Sequence, residues 1–274
     1  MNALEEAKAK AICAYNAAAD LFDHPSNTFW NRFGSSTVER LNLLSGERVL
    51  DVCSGTGASA LPAAEKVGPQ GKVIAADLAG NLLAAAKIKA EAKNLTNLEF
   101  RVGDMLSLGY PDASFDAVVC VFGIFFVPDM AAAVKELWRQ VRPGGRLAIT
   151  TWGPDLFEPA NGLFWQAIRA ERPDLYKDFN PWDRISDPQG LGNMLAEAGL
   201  HQVEIVAENA IHPLETPEDW WILAMGSGYR GTLDQLDLDQ LERVKQVNLS
   251  QLHARSVTGI DANVIYAVAY KPVI

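Results

Sequence analysis

Cysteine and histidine are scarce in this chain of 274 residues, and their scarcity limits the kinds of site that it can hold. Three cysteines, Cys13, Cys53 and Cys120, are far apart and odd in number. This predicts free thiols in a reducing compartment and argues against a disulfide framework. The sequence has no Cys-x-x-Cys, and its four histidines show no metal-ligand spacing, so we expect no metal site.

Basic stretches and long apolar runs are also missing. The net charge is -10, and a surface that neutralises phosphates is therefore not expected, which argues against a nucleic-acid partner. No signal-peptide core and no apolar stretch long enough to span a bilayer is present. We expect a cytoplasmic protein without a membrane span that acts on a small molecule. The sequence leaves a homodimer open.

Strands and helices alternate along most of the chain, in units of about 30 residues from Arg48 onward. This order predicts right-handed crossovers, and hence an α/β fold with a doubly wound, mostly parallel, Rossmann-like sheet and helical cover segments. Seven strands are expected, at residues 48–52, 72–77, 98–102, 115–122, 146–151, 203–206 and 264–270. The intervening helices are expected at residues 4–22, from the Pro25 break to about 44, 81–93, 129–141, 187–199, from 217 onward and 233–252.

Four segments follow from this pattern. Residues 1–44 form an N-terminal helical cover, and residues 45–152 form the cofactor-binding core. Residues 153–186, rich in proline, glycine and aromatic residues without a clean period, are interpreted as a lid insertion over the sheet. Residues 187–274 return to the core, with a helical cap at about 211–258 and a last strand that is expected to close the sheet.

A glycine turn follows the first predicted strand, in the stretch "VLDVCSGTGASA" from Val49 to Ala60. Glycines at Gly55 and Gly57 predict that a ligand approaches the backbone closely there. The stretch from Gly55 to Ala60 spells G-x-G-x-x-A, which is compatible with a nicotinamide dinucleotide. The turn alone therefore leaves two kinds of nucleoside cofactor open.

Three carboxylates at three predicted strand ends favour one of these two kinds of nucleoside cofactor. Asp51, Asp77 and Asp104 are 26 and 27 residues apart, one strand–helix unit each, so they reach the same edge of a parallel sheet. Asp77 suits a ribose diol, and Asp104 with Met105 suits an exocyclic amine beside a ring face. Asp51 favours a cation and would repel a pyrophosphate. S-adenosylmethionine, which has a ribose diol, an amine, an ammonium and a sulfonium but no phosphate, accounts for more of the pattern than a dinucleotide.

Five successive motifs resemble those of class I S-adenosylmethionine-dependent methyltransferases. They are "VLDVCSGTG", "VIAADLAGNLL", "FRVGDMLSL", "FDAVVCVFGIFFVPDM" and "VRPGGRLAIT". The chain is most similar to the small-molecule group typified by the ubiquinone and menaquinone biosynthesis methyltransferases. The resemblance covers residues 45–152, and more loosely Tyr15-Asn16 and residues 187–206.

The resemblance implies a set of cofactor contacts, with S-adenosylhomocysteine as the product. The residues implied are Asp51, Cys53, Gly55 and Gly57 at the methionine and ribose portions, Asp77 at the ribose hydroxyls, Leu78 at adenine, Asp104 and Met105 at the adenine amine and ring, Val121 and Phe122 at the sulfonium, and Tyr15 from the N-terminal cover. Cys53 departs from the family, which most often has glycine there. We expect the backbone to turn at Cys53 with a negative φ.

The catalytic residue stays unassigned. Methyl transfer from a sulfonium is an in-line displacement that mainly needs alignment in a dry pocket, although an oxygen or carbon acceptor also needs a base. Candidate bases are Tyr15, His24, Asp129, His212 and His253, and nothing in the sequence separates them. The tryptophan-rich cover favours a flat, apolar or aromatic acceptor. A dinucleotide-dependent oxidoreductase and an inactive methyltransferase-fold binding protein are the alternatives.

Overall fold

The computed structural model describes residues 3–273, and side chains from Glu5 to Val273. The strands in this range are β1 (Arg48–Val52), β2 (Lys72–Asp77), β3 (Leu98–Val102), β4 (Phe115–Val121), β5 (Val141–Trp152), β6 (Val203–Glu208), β7 (Ile211–Pro213), β8 (Gly259–Asp261) and β9 (Val264–Tyr270). The α-helices are α1 (Ala3–Phe22), α2 (Phe29–Arg40), α3 (Ala60–Val67), α4 (Gly80–Ala92), α5 (Met130–Gln140), α6 (Ala160–Glu171), α7 (Pro188–Glu197), α8 (Pro217–Met225), α9 (Arg230–Leu233) and α10 (Leu238–Ala254).

Seven strands form one twisted sheet in the order β3-β2-β1-β4-β5-β9-β6. The pairs from β3 to β5 are parallel, and β9 is antiparallel to both β5 and β6. The predicted fold class is therefore confirmed. The strand order reverses between β1 and β4, and ligands of such sheets bind beside the carboxyl ends of the strands at this point.

The last strand does not close the sheet, contrary to our expectation. β9 lies between β5 and β6, and β6 is the edge strand. The burial patterns explain the arrangement: β9 is buried along six of its seven residues, whereas β6 alternates between partly buried and exposed positions. A continuously apolar strand suits a covered position, and an alternating strand suits an edge with one face in water.

The cover differs from the prediction in four places. The lid segment contains α6, which the sequence pattern missed because the helix buries residues on most of its faces. The helix expected over 233–252 is two helices, α9 and α10, and the second helix of the chain ends at Arg40, before residue 44. A small sheet of β7 and β8 was not predicted.

The N-terminal helix α1 packs against α4, α8 and α9, and thus reaches across the open edge of the sheet. Two of its buried residues, Ala14 and Ala18, are small, which lets it approach these neighbours closely, and the buried Phe22 ends the helix. No helix in the described part of the chain is long and apolar enough to cross a membrane.

Candidate functional site

A cavity of about 460 Å³ opens at the carboxyl ends of β1 to β4, beneath α1. Its size is ordinary for a small-molecule site. Nine of the eleven residues predicted to contact a cofactor line it, namely Tyr15, Cys53, Gly55, Asp77, Leu78, Asp104, Met105, Val121 and Phe122. Asp51 and Gly57 are not among the lining residues.

Asp77 ties the glycine turn to the end of β2. Its Oδ2 accepts a hydrogen bond from the backbone N–H of Gly55 at 2.8 Å, and its Oδ1 accepts one from Ala79 at 2.8 Å. Burial raises the pKa of this carboxyl group, while the N–H groups of Ala79, Gly55 and Leu78 act in the opposite direction. These bonds fix the carboxylate at the wall of the cavity and leave it lone pairs for further donors.

Asp51 lies under the turn with no exposed surface. Its Oδ2 accepts a hydrogen bond from the Ser59 hydroxyl at 2.7 Å, whereas its Oδ1 is buried without a hydrogen-bond partner. Burial, and to a smaller degree the nearby Asp77, raise the pKa of Asp51 to about 7, although the Ser59 bond acts against this. An unpartnered buried carboxylate favours a nearby cation.

Asp104 begins the loop after β3 and is held from two sides. Its Oδ1 accepts a hydrogen bond from the backbone N–H of Leu106 at 3.0 Å, and its Oδ2 lies 2.6 Å from Nζ of Lys8 on α1. Lys8 itself lines the cavity. The sequence reasoning missed this lysine because nothing in the pattern of α1 shows which strand end the helix reaches.

The glycine turn needs positive φ angles at three positions. Gly55 has a φ of 53° and Gly57 a φ of 84°, and a Cβ on Gly57 would lie 2.1 Å from Cδ1 of Leu61. Cys53 has a φ of 54°, so our expectation of a negative φ there was wrong. Its thiol packs on Cys120 at the end of β4, and this contact, followed by burial, raises the pKa of the Cys53 thiol. The packing offsets the strain of a side chain in the left-handed region.

Aromatic rings form the other side of the cavity. Phe122 stacks on Trp152 with ring centroids 3.7 Å apart, and Phe22 stacks on Trp30 at 4.8 Å. The rings of Tyr15 and Phe126 pack edge to face, with their centroids 5.6 Å apart. Phe22, Trp30 and Phe126 all line the cavity. Stacked and edge-on rings of this kind offer a flat, rigid apolar surface.

The five candidate bases do not come together. Tyr15 alone lines the cavity, and burial, followed by the charge of Asp77, raises the pKa of its hydroxyl, which keeps the hydroxyl protonated and leaves no phenolate to act as a base. Asp129 caps α5, and Nδ1 of His24 accepts the N–H of Ser26. His212 is buried against the carbonyl oxygen of Ser26, and His253 is an exposed residue of α10. Within residues 3–273, no cluster of histidine, cysteine, aspartate and glutamate could hold a metal.

Several residues at the cavity were absent from the prediction. Those of the cover come from one face of α1, from α2 and from the chain beyond α6, namely Ala7, Lys8, Lys10, Ala11, Ile12, Phe22, Trp30, Lys177 and Pro181. Those of the core are Ser54, Thr56, Ala58, Ser59, Ala79, Leu82, Gly103 and Val127. Phe125 and Phe126, just after β4, line the cavity too. The helical spacing of Ala7, Ala11 and Tyr15 was a usable signal for the face of α1. The residues beyond α6 carry no such signal because their segment lacks a period.

Comparisons with known proteins agree with this geometry. The model of the ubiE/COQ5 methyltransferase family matches residues 6–157. A demethylmenaquinone methyltransferase from Geobacillus kaustophilus is 38% identical over 211 residues, covering 73% of this chain and 86% of that protein. One from Deinococcus radiodurans is 43% identical over 125 residues. That match covers 46% of this chain and 49%, about half, of the relative's length.

A solved structure, the YcgJ protein of Bacillus subtilis, shares the fold with a TM-score of 0.58 at 19% identity, covering 88% of this chain and 99% of that one. The ordered motifs, the sheet with its three acids and the family match thus agree, and they do not favour the dinucleotide-dependent alternative. The chain belongs to the ubiE/COQ5 methyltransferase family, and with it to the S-adenosylmethionine-dependent methyltransferases.

Proposed function

We propose that the cavity holds S-adenosylmethionine with its adenosine toward β2 and β3 and its sulfonium toward β4. The fixed carboxylate of Asp77 would accept the ribose hydroxyls, and Asp104 would accept the adenine amine beside the buried Met105. Asp51 would favour the cationic methionine end, since one of its oxygens is buried without a partner. Val121 and Phe122 would lie near the sulfonium, where an apolar surround tolerates the dispersal of charge in the transition state.

The acceptor in this proposal is a flat aromatic ring with hydroxyl groups, of the reduced naphthoquinone type. The observation that carries it is the aromatic wall, in which Phe122, Phe126 and Trp30 present ring faces and edges beside the sulfonium end of the cavity. The names of the sequence relatives, which are demethylmenaquinone methyltransferases, support the same class of acceptor. A polar amine would find few partners on this wall.

The protein's contribution to the reaction is positioning and exclusion of water. The acceptor atom would form a bond to the methyl carbon while the carbon–sulfur bond breaks, and sulfur keeps the electron pair. Rings fixed by their own stacking, such as Phe122 on Trp152, hold the acceptor plane in line with that bond. The helix α1 covers the cavity and keeps it dry.

The test has a cofactor arm and an acceptor arm. S-adenosylhomocysteine should raise the melting temperature of the wild type and NADH should not, because only a ligand of the folded state stabilises it. Asp77→Asn should lose most of that stabilisation, and Asp129→Asn, which alters an exposed helix cap, should keep it. Mass spectrometry with a labelled methyl donor should then find methylated 1,4-naphthalenediol and no methylated primary amine. Stabilisation by NADH alone, or turnover of amines alone, would contradict the proposal.

Location and assembly belong to the proposal as well. We infer a cytoplasmic protein that forms a homodimer. Light scattering coupled to size-exclusion chromatography measures the mass in solution, and a mass of one chain would remove the dimer from the proposal.

A further inference from the structure

Lys177 is one of three lysines that line the cavity, and its ammonium forms no ion pair with any of the described residues. It lies between two short 3-10 helices, Pro173–Leu175 and Pro181–Ile185, in the segment that follows α6. Its Nζ lies 5.6 Å from the ring centroid of Trp165. Within the described residues, no carboxylate lies within ion-pair distance of this ammonium.

The other two lysines of the cavity are engaged. Lys8 is bonded to Asp104 at 2.6 Å and to Glu5 at 3.1 Å, and Lys10 is bonded to Glu6 at 2.8 Å. Of the three lysines that line the cavity, Lys177 is therefore the one whose ammonium forms no ion pair within the described residues. Crowding of the ammonium by protein atoms, and then the charge of Lys10, lower the pKa of Lys177, although much of the side chain is exposed.

The position of Lys177 separates it from the proposed cofactor contacts. The acids that would bind the adenosine follow β2 and β3, whereas the segment of Lys177 packs on the residues after β4. Its neighbour Trp182 meets Phe125 with ring centroids 5.3 Å apart, and Phe125, Phe126 and Pro181 line the cavity together with Lys177. The ammonium therefore lies at the end of the cavity that is left for the acceptor.

We propose that Lys177 binds a phenolic oxygen of the acceptor and stabilises its ionised form. This inference rests on the proposed function, because it assigns a residue to the hydroxyl group of an aromatic acceptor. An ammonium at the rim of the cavity attracts an anionic oxygen through a charge-assisted hydrogen bond, which is stronger than a hydrogen bond between neutral groups. The phenolic proton leaves to solvent, and the resulting oxyanion either takes the methyl group itself or donates electron density to the ring carbon that takes it. In the second case the hydrogen on that carbon then leaves to solvent as a proton, which restores the aromatic ring.

Binding of two matched ligands to the S-adenosylhomocysteine complex tests this assignment without turnover. The ligands are 1-naphthol and 1-methoxynaphthalene, which share a ring and differ in the hydroxyl group. For Lys177→Met we expect about tenfold weaker binding of 1-naphthol and unchanged binding of 1-methoxynaphthalene. Lys177→Arg keeps the charge and should restore part of the affinity. At mildly alkaline pH, the absorption band of ionised naphthol should be stronger in the wild-type complex than in Lys177→Met.

Lys10→Met is the matched control, because Lys10 carries the same charge at the same rim but is paired with Glu6 and largely exposed. It should change the affinity for 1-naphthol by less than about twofold. Equal losses in Lys10→Met and Lys177→Met would overturn the specific role of Lys177. Equal binding of 1-naphthol by the wild type and Lys177→Met would do the same. Absence of 1-naphthol binding by a wild-type protein that binds S-adenosylhomocysteine would instead overturn the phenolic acceptor of the proposed function.

Discussion

Lys8 of α1 and Asp104 after β3 form an ion pair across the mouth of the cavity, with Nζ and Oδ2 2.6 Å apart. Only 18% of each side chain is exposed, so water screens the pair less than it screens an ordinary surface ion pair. The bond joins residues 96 positions apart in the chain and connects the covering helix to the sheet. Hydrogen bonding to Asp104 is also the main reason why the pKa of Lys8 is raised. The carboxylate of Asp104 thus anchors the covering helix and is also the group proposed to bind the adenine amine.

Lys8→Met should loosen α1 and weaken cofactor binding at the same time. We expect the pair to contribute about 1 kcal/mol, which corresponds to roughly fivefold weaker binding of S-adenosylhomocysteine. Hydrogen exchange of the backbone amides of α1 should become faster in this variant. Lys10→Met removes the same charge from the same helix and is the control, since its partner Glu6 lies on α1 itself. Unchanged amide exchange in Lys8→Met would show that the pair does not hold the helix.

Asp51 should make the stability of the ligand-free protein depend on pH. Its pKa is about 7 in the folded state against an ordinary value of 3.8, so the folded state binds this proton more tightly. The resulting stability is fully present below about pH 4 and is lost as the pH rises through 7. Asp51→Asn removes the buried charge and keeps an oxygen for Ser59. It should raise the free energy of unfolding at alkaline pH by roughly 2–4 kcal/mol. Urea unfolding at acidic and alkaline pH measures this, and an Asp51→Asn protein that is less stable at alkaline pH contradicts it.

The same carboxylate should release a proton when the cofactor binds. A cationic methionine group at the nearby end of the cavity favours the ionised form of this buried carboxyl group, so the pKa of Asp51 should fall on binding. Calorimetric titration with S-adenosylmethionine near neutral pH, in buffers of different ionisation enthalpy, counts the protons released. The wild type should release a fraction of one proton and Asp51→Asn none. Equal release by both proteins would place the titrating group elsewhere.

The succession of strands and helices along the chain and the position of the three acids could be predicted because both depend on local patterns. Asp51 is the last residue but one of β1, Asp77 ends β2, and Asp104 follows β3 at nearly equal spacing, so the parallel sheet brings them to one edge. The place of β9 could not be predicted in this way. A last strand can be inserted between two strands or added at the edge of the sheet. The outcome depends on which helices and strands pack against it, and local sequence patterns do not show this.

The residues that the cover contributes to the site could not be predicted from the sequence pattern for the same reason. The contact of Lys8 with Asp104 and the presence of Lys177 at the rim are set by how α1 and the segment after α6 pack on the sheet. The positive φ of Cys53 was missed because glycine is the usual residue for that conformation. The neighbouring thiol of Cys120, on another strand, provides the packing that holds a side chain there.

Gly34→Ala should disturb the cofactor site although Gly34 does not line the cavity. Gly34 lies on α2, and a Cβ at this position would lie 2.4 Å from the carbonyl oxygen of Ala58 and 2.5 Å from its carbonyl carbon. Ala58 belongs to the glycine turn and lines the cavity, so either α2 or the turn must move. Because backbone atoms cannot rotate away as a side chain does, we expect a loss of roughly 1–3 kcal/mol in the free energy of unfolding. The displaced turn should also bind S-adenosylhomocysteine more weakly.

Gly192→Ala is the matched control for this change, since it adds the same methyl group to a helix, α7, elsewhere on the sheet. Its Cβ would lie 3.3 Å from Cδ1 of Ile205, the flexible end of a side chain on the edge strand β6. Alanine is the better helix former by up to about 1 kcal/mol, so this variant should be neutral or more stable. Urea unfolding and calorimetric titration with S-adenosylhomocysteine separate the two effects. If Gly34→Ala were as stable as the wild type and bound the ligand equally well, α2 would not restrain the glycine turn.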